Sequence, residues 1–92
     1  MTTDSGLRIL IVEDDLVDRR MLERLLSQSV LDIAVQQAAG DLKTAKQLLQ
    51  TETYDIILTD LDLPDSSGID AIGELNHSAP DVPLIVLSGL DD

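Results

Sequence analysis

The sequence has no cysteine, tryptophan or phenylalanine, and Tyr54 is its one aromatic residue. Without cysteine, disulfides, zinc–thiolate centres and thiol nucleophiles are all excluded. Any core must be aliphatic. Cations are also scarce, with 6 Lys and Arg against 18 Asp and Glu and a net charge of -12. A nucleic-acid backbone would be repelled, and no basic stripe or row of stacking aromatics offsets that repulsion. Direct nucleic-acid binding is therefore excluded. No apolar run approaches the ~18–20 residues of a membrane span. Residues 1–6 are polar and acidic rather than signal-like, and read as a disordered leader. No membrane contact is expected, and a cytoplasmic location follows as the default.

At 92 residues the chain makes one domain at most. Folding at this size buries only about 60–65% of the unfolded surface, so each apolar face must find cover. The 43% hydrophobic content is enough for a core. The acidity has two readings: a solvated surface, or carboxylates converging on a cation. Positions decide between them.

Apolar runs alternate with helical patterns along the chain. Leu7-Arg8-Ile9-Leu10-Ile11-Val12 is nearly continuous and ends in Glu13-Asp14-Asp15, as expected for a strand buried on both faces. Leu16, Val17, Met21, Leu22, Leu25 and Leu26 then recur at helical spacing, with Asp18, Arg19, Arg20 and Glu23 largely on the other side. That apolar stripe reads as core packing, and Asp15 as the N-cap of the helix rather than a ligand. Leu31 to Ala38 alternates as a second strand. Gly40-Asp41 stops it and caps a helix through Leu42, Ala45, Leu48 and Leu49.

Ile56-Ile57-Leu58-Thr59 is a third buried run, ending in Asp60, and Pro64-Asp65-Ser66-Ser67-Gly68 is turn chemistry. Ile69, Ile72 and Leu75 mark a short helix that ends before Pro80, and Val82 to Leu87 a fourth strand ending at Ser88-Gly89. The order β-α-β-α-β-α-β requires right-handed crossovers and a mostly parallel α/β sheet.

Glu13, Asp14 and Asp60 thus lie at the carboxyl ends of buried strands, the edge that carries the ligand crevice in open parallel sheets. If the first and third strands are neighbours, as in the flavodoxin-like order, the three acids meet. Such carboxylates would repel and raise one another's pKa values unless a cation were present. Their hard oxygen donors suit Mg²⁺ or Mn²⁺. An aspartate there can act as a nucleophile toward a phosphoryl group, with a metal neutralising charge on the transferring oxygens. Ser88, at the end of the next strand, is placed to bond a phosphate oxygen.

Three segments carry a family resemblance. Arg8 to Asp15 resembles the opening of a response-regulator receiver domain, Tyr54 to Gly68 its phosphoacceptor strand and following loop, and Val82 to Gly89 its fourth strand. The resemblance implies a doubly wound sheet of order 2-1-3-4, with residues 7–92 forming a partial receiver domain. It implies that Glu13 and Asp14 are the metal-binding acidic pair, and that Asp60 is both phosphoacceptor and metal ligand. Asp62 supplies its backbone carbonyl, and Ser88 is the switch hydroxyl. The implied phosphodonor is the phosphohistidine of a sensor histidine kinase or phosphotransfer protein. By the same resemblance the domain is a signalling module rather than an enzyme, with at most slow self-phosphorylation and self-dephosphorylation.

The chain departs from the family pattern in lacking the fifth strand with its lysine, and the last helices. Lys43 and Lys46 sit on the expected second helix and cannot take that lysine's role. A phosphorylation-independent interaction module (a pseudo-receiver or dimerisation unit) is therefore the main alternative. A haloacid-dehalogenase-type phosphatase is a weaker one, because Asp60-Leu61-Asp62 resembles its nucleophile motif but leaves Glu13 and Asp14 unexplained. His77, in the polar end of a helix and far in sequence from the acids, reads as a surface residue. The apolar fourth strand would form an uncovered edge, which invites pairing with a second copy of the chain.

Overall fold

Four strands that alternate in sequence with three helices lie parallel in one sheet: Leu7–Val12 (β1), Ile33–Ala39 (β2), Ile56–Asp60 (β3) and Leu84–Leu87 (β4). The structure, a computed structural model, describes residues 6–60 and 62–87, with Asp62 and Ser67 described by their backbone alone. The sheet order is β2-β1-β3-β4, a flavodoxin-like arrangement with the first and third strands side by side. The helices are Leu16–Ser27 (α1), Leu42–Thr51 (α2) and Gly68–Ser78 (α3).

The central strands read as unbroken apolar runs because both of their faces are covered. Leu10 and Val12 of β1 pack with Leu42 and Ala45 of α2 and Ala71 and Leu75 of α3. Ile9 and Ile11, pointing the other way, pack with Leu22 of α1 and Leu58 of β3. Tyr54 is buried in the α2/α3 layer, and its hydroxyl donates to Gln37 Oε1. On the outer strand β4, Ile85 and Val86 remain 44% and 36% exposed. No helix among the described residues is long and apolar enough to cross a membrane.

Both expected N-caps are present. The Asp15 carboxylate accepts from the backbone N–H of Val17 and Asp18 at 2.8 and 3.1 Å, and that of Asp41 from Thr44 at 2.8 Å. These bonds satisfy first-turn amides that have no acceptor within their helix.

Several details differ from the sequence expectation. In α1 only Leu22 is buried and Leu26 partly so, while Leu16, Val17, Met21 and Leu25 are exposed. Asp18, expected on the polar side, is 8% exposed and faces inward. Asp18, Leu22 and Leu26 form one i, i+4, i+8 stripe; Val17, Met21 and Leu25 form the neighbouring one. On that side of the sheet α1 is the only helix among the described residues, so it buries one stripe and leaves the other uncovered.

In α3, Ala71 and Leu75 are the buried pair, while Ile69 lies about half a turn round the helix and is 82% exposed. The strand Leu84–Leu87 starts after Pro83, whose carbonyl accepts from Ile57 N–H at 3.0 Å but whose nitrogen has no proton to donate. Around the segment 64–68, read as a turn, Asp62–Leu63 pairs with Ser66–Ser67 in a small antiparallel hairpin. Gly68 then adopts φ 52°, which lets the chain enter α3. Residues 1–5 of the expected leader lie outside the described residues. Gly6 has φ 110°, where an added Cβ would come within 2.9 Å of Ala34 Cβ.

Candidate acidic site

The last pairing of β1 with β3 joins Val12 to Thr59, so the residues that follow each strand emerge side by side. Glu13 continues the sheet by one residue, donating its backbone N–H to Ala39 carbonyl at 2.9 Å. Thr59, buried, donates its hydroxyl to the Asp60 carbonyl at 3.0 Å. The backbone beneath the acids is therefore held by the sheet rather than by a loop.

Glu13, Asp14 and Asp60 each offer one carboxylate oxygen, and these oxygens lie within 4.8 Å of one another. Glu13 is buried, Asp60 half-buried and Asp14 exposed. Burial pushes the Glu13 carboxyl up from 4.5 to about 7. The Asp60, Asp18 and Asp14 carboxylates push the same way, against one bond from the Asp15 N–H to Glu13 Oε2 at 3.1 Å.

Asp18 acts on Glu13 through its charge but does not join the three acids, and its inward placement went unread in the sequence. The signal for it is its place in one helical stripe with Leu22 and Leu26.

The donor chemistry fits a hard divalent cation. Three carboxylates gathered around one point carry a mutual repulsion, visible at Glu13, that a cation would relieve. Asp62 is placed by its backbone in the hairpin next to Asp60. Ser88 lies outside the described residues. His77 is exposed near the end of α3, and Lys46 is engaged across α2 and α3 with Glu74 at 2.7 Å. His77 does not join the acidic group. The meeting of Glu13 and Asp14 with Asp60 is what the phosphatase reading leaves without a purpose.

An open parallel sheet with three carboxylates gathered at the tips of its first and third strands defines a flavodoxin-like module whose acidic group could hold a metal ion. The chain belongs to the response regulator receiver domain family, whose profile matches residues 9–92. It is a receiver domain of the two-component kind, a signalling module.

It is 35% identical over 81 residues to the response regulator protein PilR of Pseudomonas aeruginosa, covering 88% of this chain and 18% of that protein. The signal receiver domain of an HD domain-containing protein from Pseudomonas fluorescens Pf-5 superposes with a TM-score of 0.83 at 27% identity, covering 100% of this chain and 65% of that one. The phosphorylated cyanobacterial phytochrome response regulator RcpA superposes at 0.79 with 26% identity, covering 96% and 69%. The chain spans under half the length of the first curated relatives it matches.

Proposed function

We propose that this domain accepts a phosphoryl group on Asp60 from the phosphohistidine of a sensor histidine kinase or phosphotransfer protein, in the cytoplasm. The observation that carries the reading is the convergence of Glu13, Asp14 and Asp60 oxygens within 4.8 Å. Glu13, Asp14, Asp60 and the backbone carbonyl of Asp62 would hold Mg²⁺, or Mn²⁺ in its place. Such an ion neutralises charge on phosphoryl oxygens during transfer.

In the transfer, an Asp60 carboxylate oxygen attacks phosphorus. An O–P bond forms as the donor's N–P bond breaks, and the bonding pair stays on the departing imidazole nitrogen. Thr59 and the β1–β3 pairing hold the Asp60 backbone against the sheet, which orients its carboxylate toward the crevice. The Asp15 N–H holds one Glu13 oxygen in place. Ser88 is assigned the hydroxyl that donates to a phosphoryl oxygen after transfer. One similar solved structure is of a phosphorylated response regulator and another of a response regulator bound to beryllium trifluoride, which supports the same chemistry here.

The test is peptide mass spectrometry after incubation with Mg²⁺ and a small phosphodonor. One phosphoryl group on the Asp60 peptide is expected, with none when metal is chelated or in Asp60→Asn. Modification elsewhere, or without metal, would refute the assignment. Sustained hydrolysis of a phosphomonoester that Asp62→Ala abolishes would assign a phosphatase instead.

A further inference from the structure

The hairpin that follows Asp60 is poorly equipped to hold its own shape. It has two residue pairs, Asp62 with Ser67 and Leu63 with Ser66, joined by Pro64-Asp65. An isolated two-stranded ribbon is marginal even when longer. Two-residue hairpin loops favour backbone with positive φ, because other turns splay the strands, yet neither Pro64 nor Asp65 has positive φ. Something outside the hairpin must fix it.

Two anchors do so. Leu63 is buried in the core layer that contains Leu42. Asp65, at the tip, grips the start of α2 with both carboxylate oxygens: Oδ1 accepts from Leu42 N–H at 2.8 Å and Oδ2 from Lys43 N–H at 3.0 Å. These are first-turn amides with no acceptor inside the helix, and the N-cap Asp41 serves Thr44 instead. Hydrogen bonds from Leu42 and Lys43 hold the Asp65 carboxyl below the usual carboxylate range, so the grip engages its ionised form. Asp65 does not join the Glu13, Asp14 and Asp60 group.

We propose that Asp65 is a positioning residue: by clamping the hairpin to the N-terminus of α2, it sets the Asp62 backbone carbonyl beside Asp60 for metal binding. The inference rests on the metal-site reading above. It adds a physical link from the acidic crevice to α2, some twenty residues earlier in the chain, and the coupling is reciprocal. A cation that orders the Asp62 carbonyl also tightens the clamp, slowing hydrogen exchange at Leu42 and Lys43.

The experiment is an NMR titration of the full chain with Mg²⁺, comparing wild type with Asp65→Ala, Asp65→Asn and Asp41→Ala. Asp41→Ala is the decisive control, because it removes a cap from the same helix without touching the hairpin. Loss of an outer partner of a metal ligand typically weakens metal binding by about 10–100-fold, so Asp65→Ala is expected to weaken Mg²⁺ about tenfold. Asp65→Asn, which keeps one acceptor oxygen and guards against misfolding of the alanine variant, should fall between the two. Asp41→Ala should bind as wild type does. Mg²⁺ should slow exchange at Leu42 and Lys43 in wild type and not in Asp65→Ala. Wild-type affinity in both Asp65 variants, or equal weakening by Asp41→Ala, overturns the positioning role and leaves the metal site standing. A wild-type chain that binds no Mg²⁺ overturns the metal-site reading and this inference with it.

Discussion

Replacing Glu13 with glutamine removes the charge that the fold accommodates least well, and the consequence can be worked from the structure. The carboxyl is raised from 4.5 to about 7, chiefly by burial. Between those values the folded state keeps a proton that the unfolded chain releases, so this group's contribution falls as pH rises through the window. At about 1.4 kcal/mol per pH unit, the loss is roughly 3 kcal/mol once pH exceeds 7.

Glutamine keeps a carbonyl oxygen for the Asp15 N–H and carries no charge. In chelator at about pH 8, Glu13→Gln should therefore be more stable than wild type by up to ~3 kcal/mol, and near pH 4.5 the two should match. Added Mg²⁺ closes most of that gap. At a hundredfold excess over its dissociation constant it should stabilise wild type by about 2.7 kcal/mol, and the variant by much less. Urea unfolding followed by circular dichroism, with and without metal at several pH values, reads both effects. A variant less stable than wild type by the same amount at every pH would refute the reasoning, because Glu13 would then be packing rather than unrelieved charge.

Three further outcomes follow from the fold. Leu75 is fully buried between α3 and the sheet, so Leu75→Ala should lower the unfolding free energy by about 2–5 kcal/mol in urea titrations. Gly68 has φ 52° with open space where a Cβ would sit, so Gly68→Ala should cost about 1–2 kcal/mol for backbone strain alone; an unchanged melting temperature would contradict this. With Ile85 and Val86 exposed on β4, the 92-residue chain should associate with rising concentration in sedimentation velocity, and Ile85→Lys should suppress it. A wild-type sedimentation coefficient independent of concentration would rule that out.

The sheet and the acid triad were legible because each rests on a local pattern. Continuous aliphatic runs marked β1 and β3 as buried on both faces, and an acid at the end of each run marked the crevice. Asp15 and Asp41 stood out as caps because each is a short acidic side chain directly before a helical repeat. Other features depended on what packs against what. In α1, two adjacent stripes can both be read from the same leucines, and only the placement of the sheet decides that Asp18, Leu22 and Leu26 turn inward. Ile69 fits a helical repeat with Ile72, yet Ala71 and Leu75 face the core. The hairpin at residues 62–67 is too short to show a strand period. Asp65 reaches amides more than twenty positions away, and no local spacing announces such a bond.

The gathering of Glu13, Asp14 and Asp60 around a single divalent ion is best tested by carboxyl-carbon NMR during a Mg²⁺ titration of the wild-type chain. These three carboxyl signals should move together and saturate at one ion per chain, and those of Glu13 and Asp60 should stay still when Asp14 is replaced by Asn. Saturation with these signals unmoved, while carboxylates elsewhere respond, would contradict it.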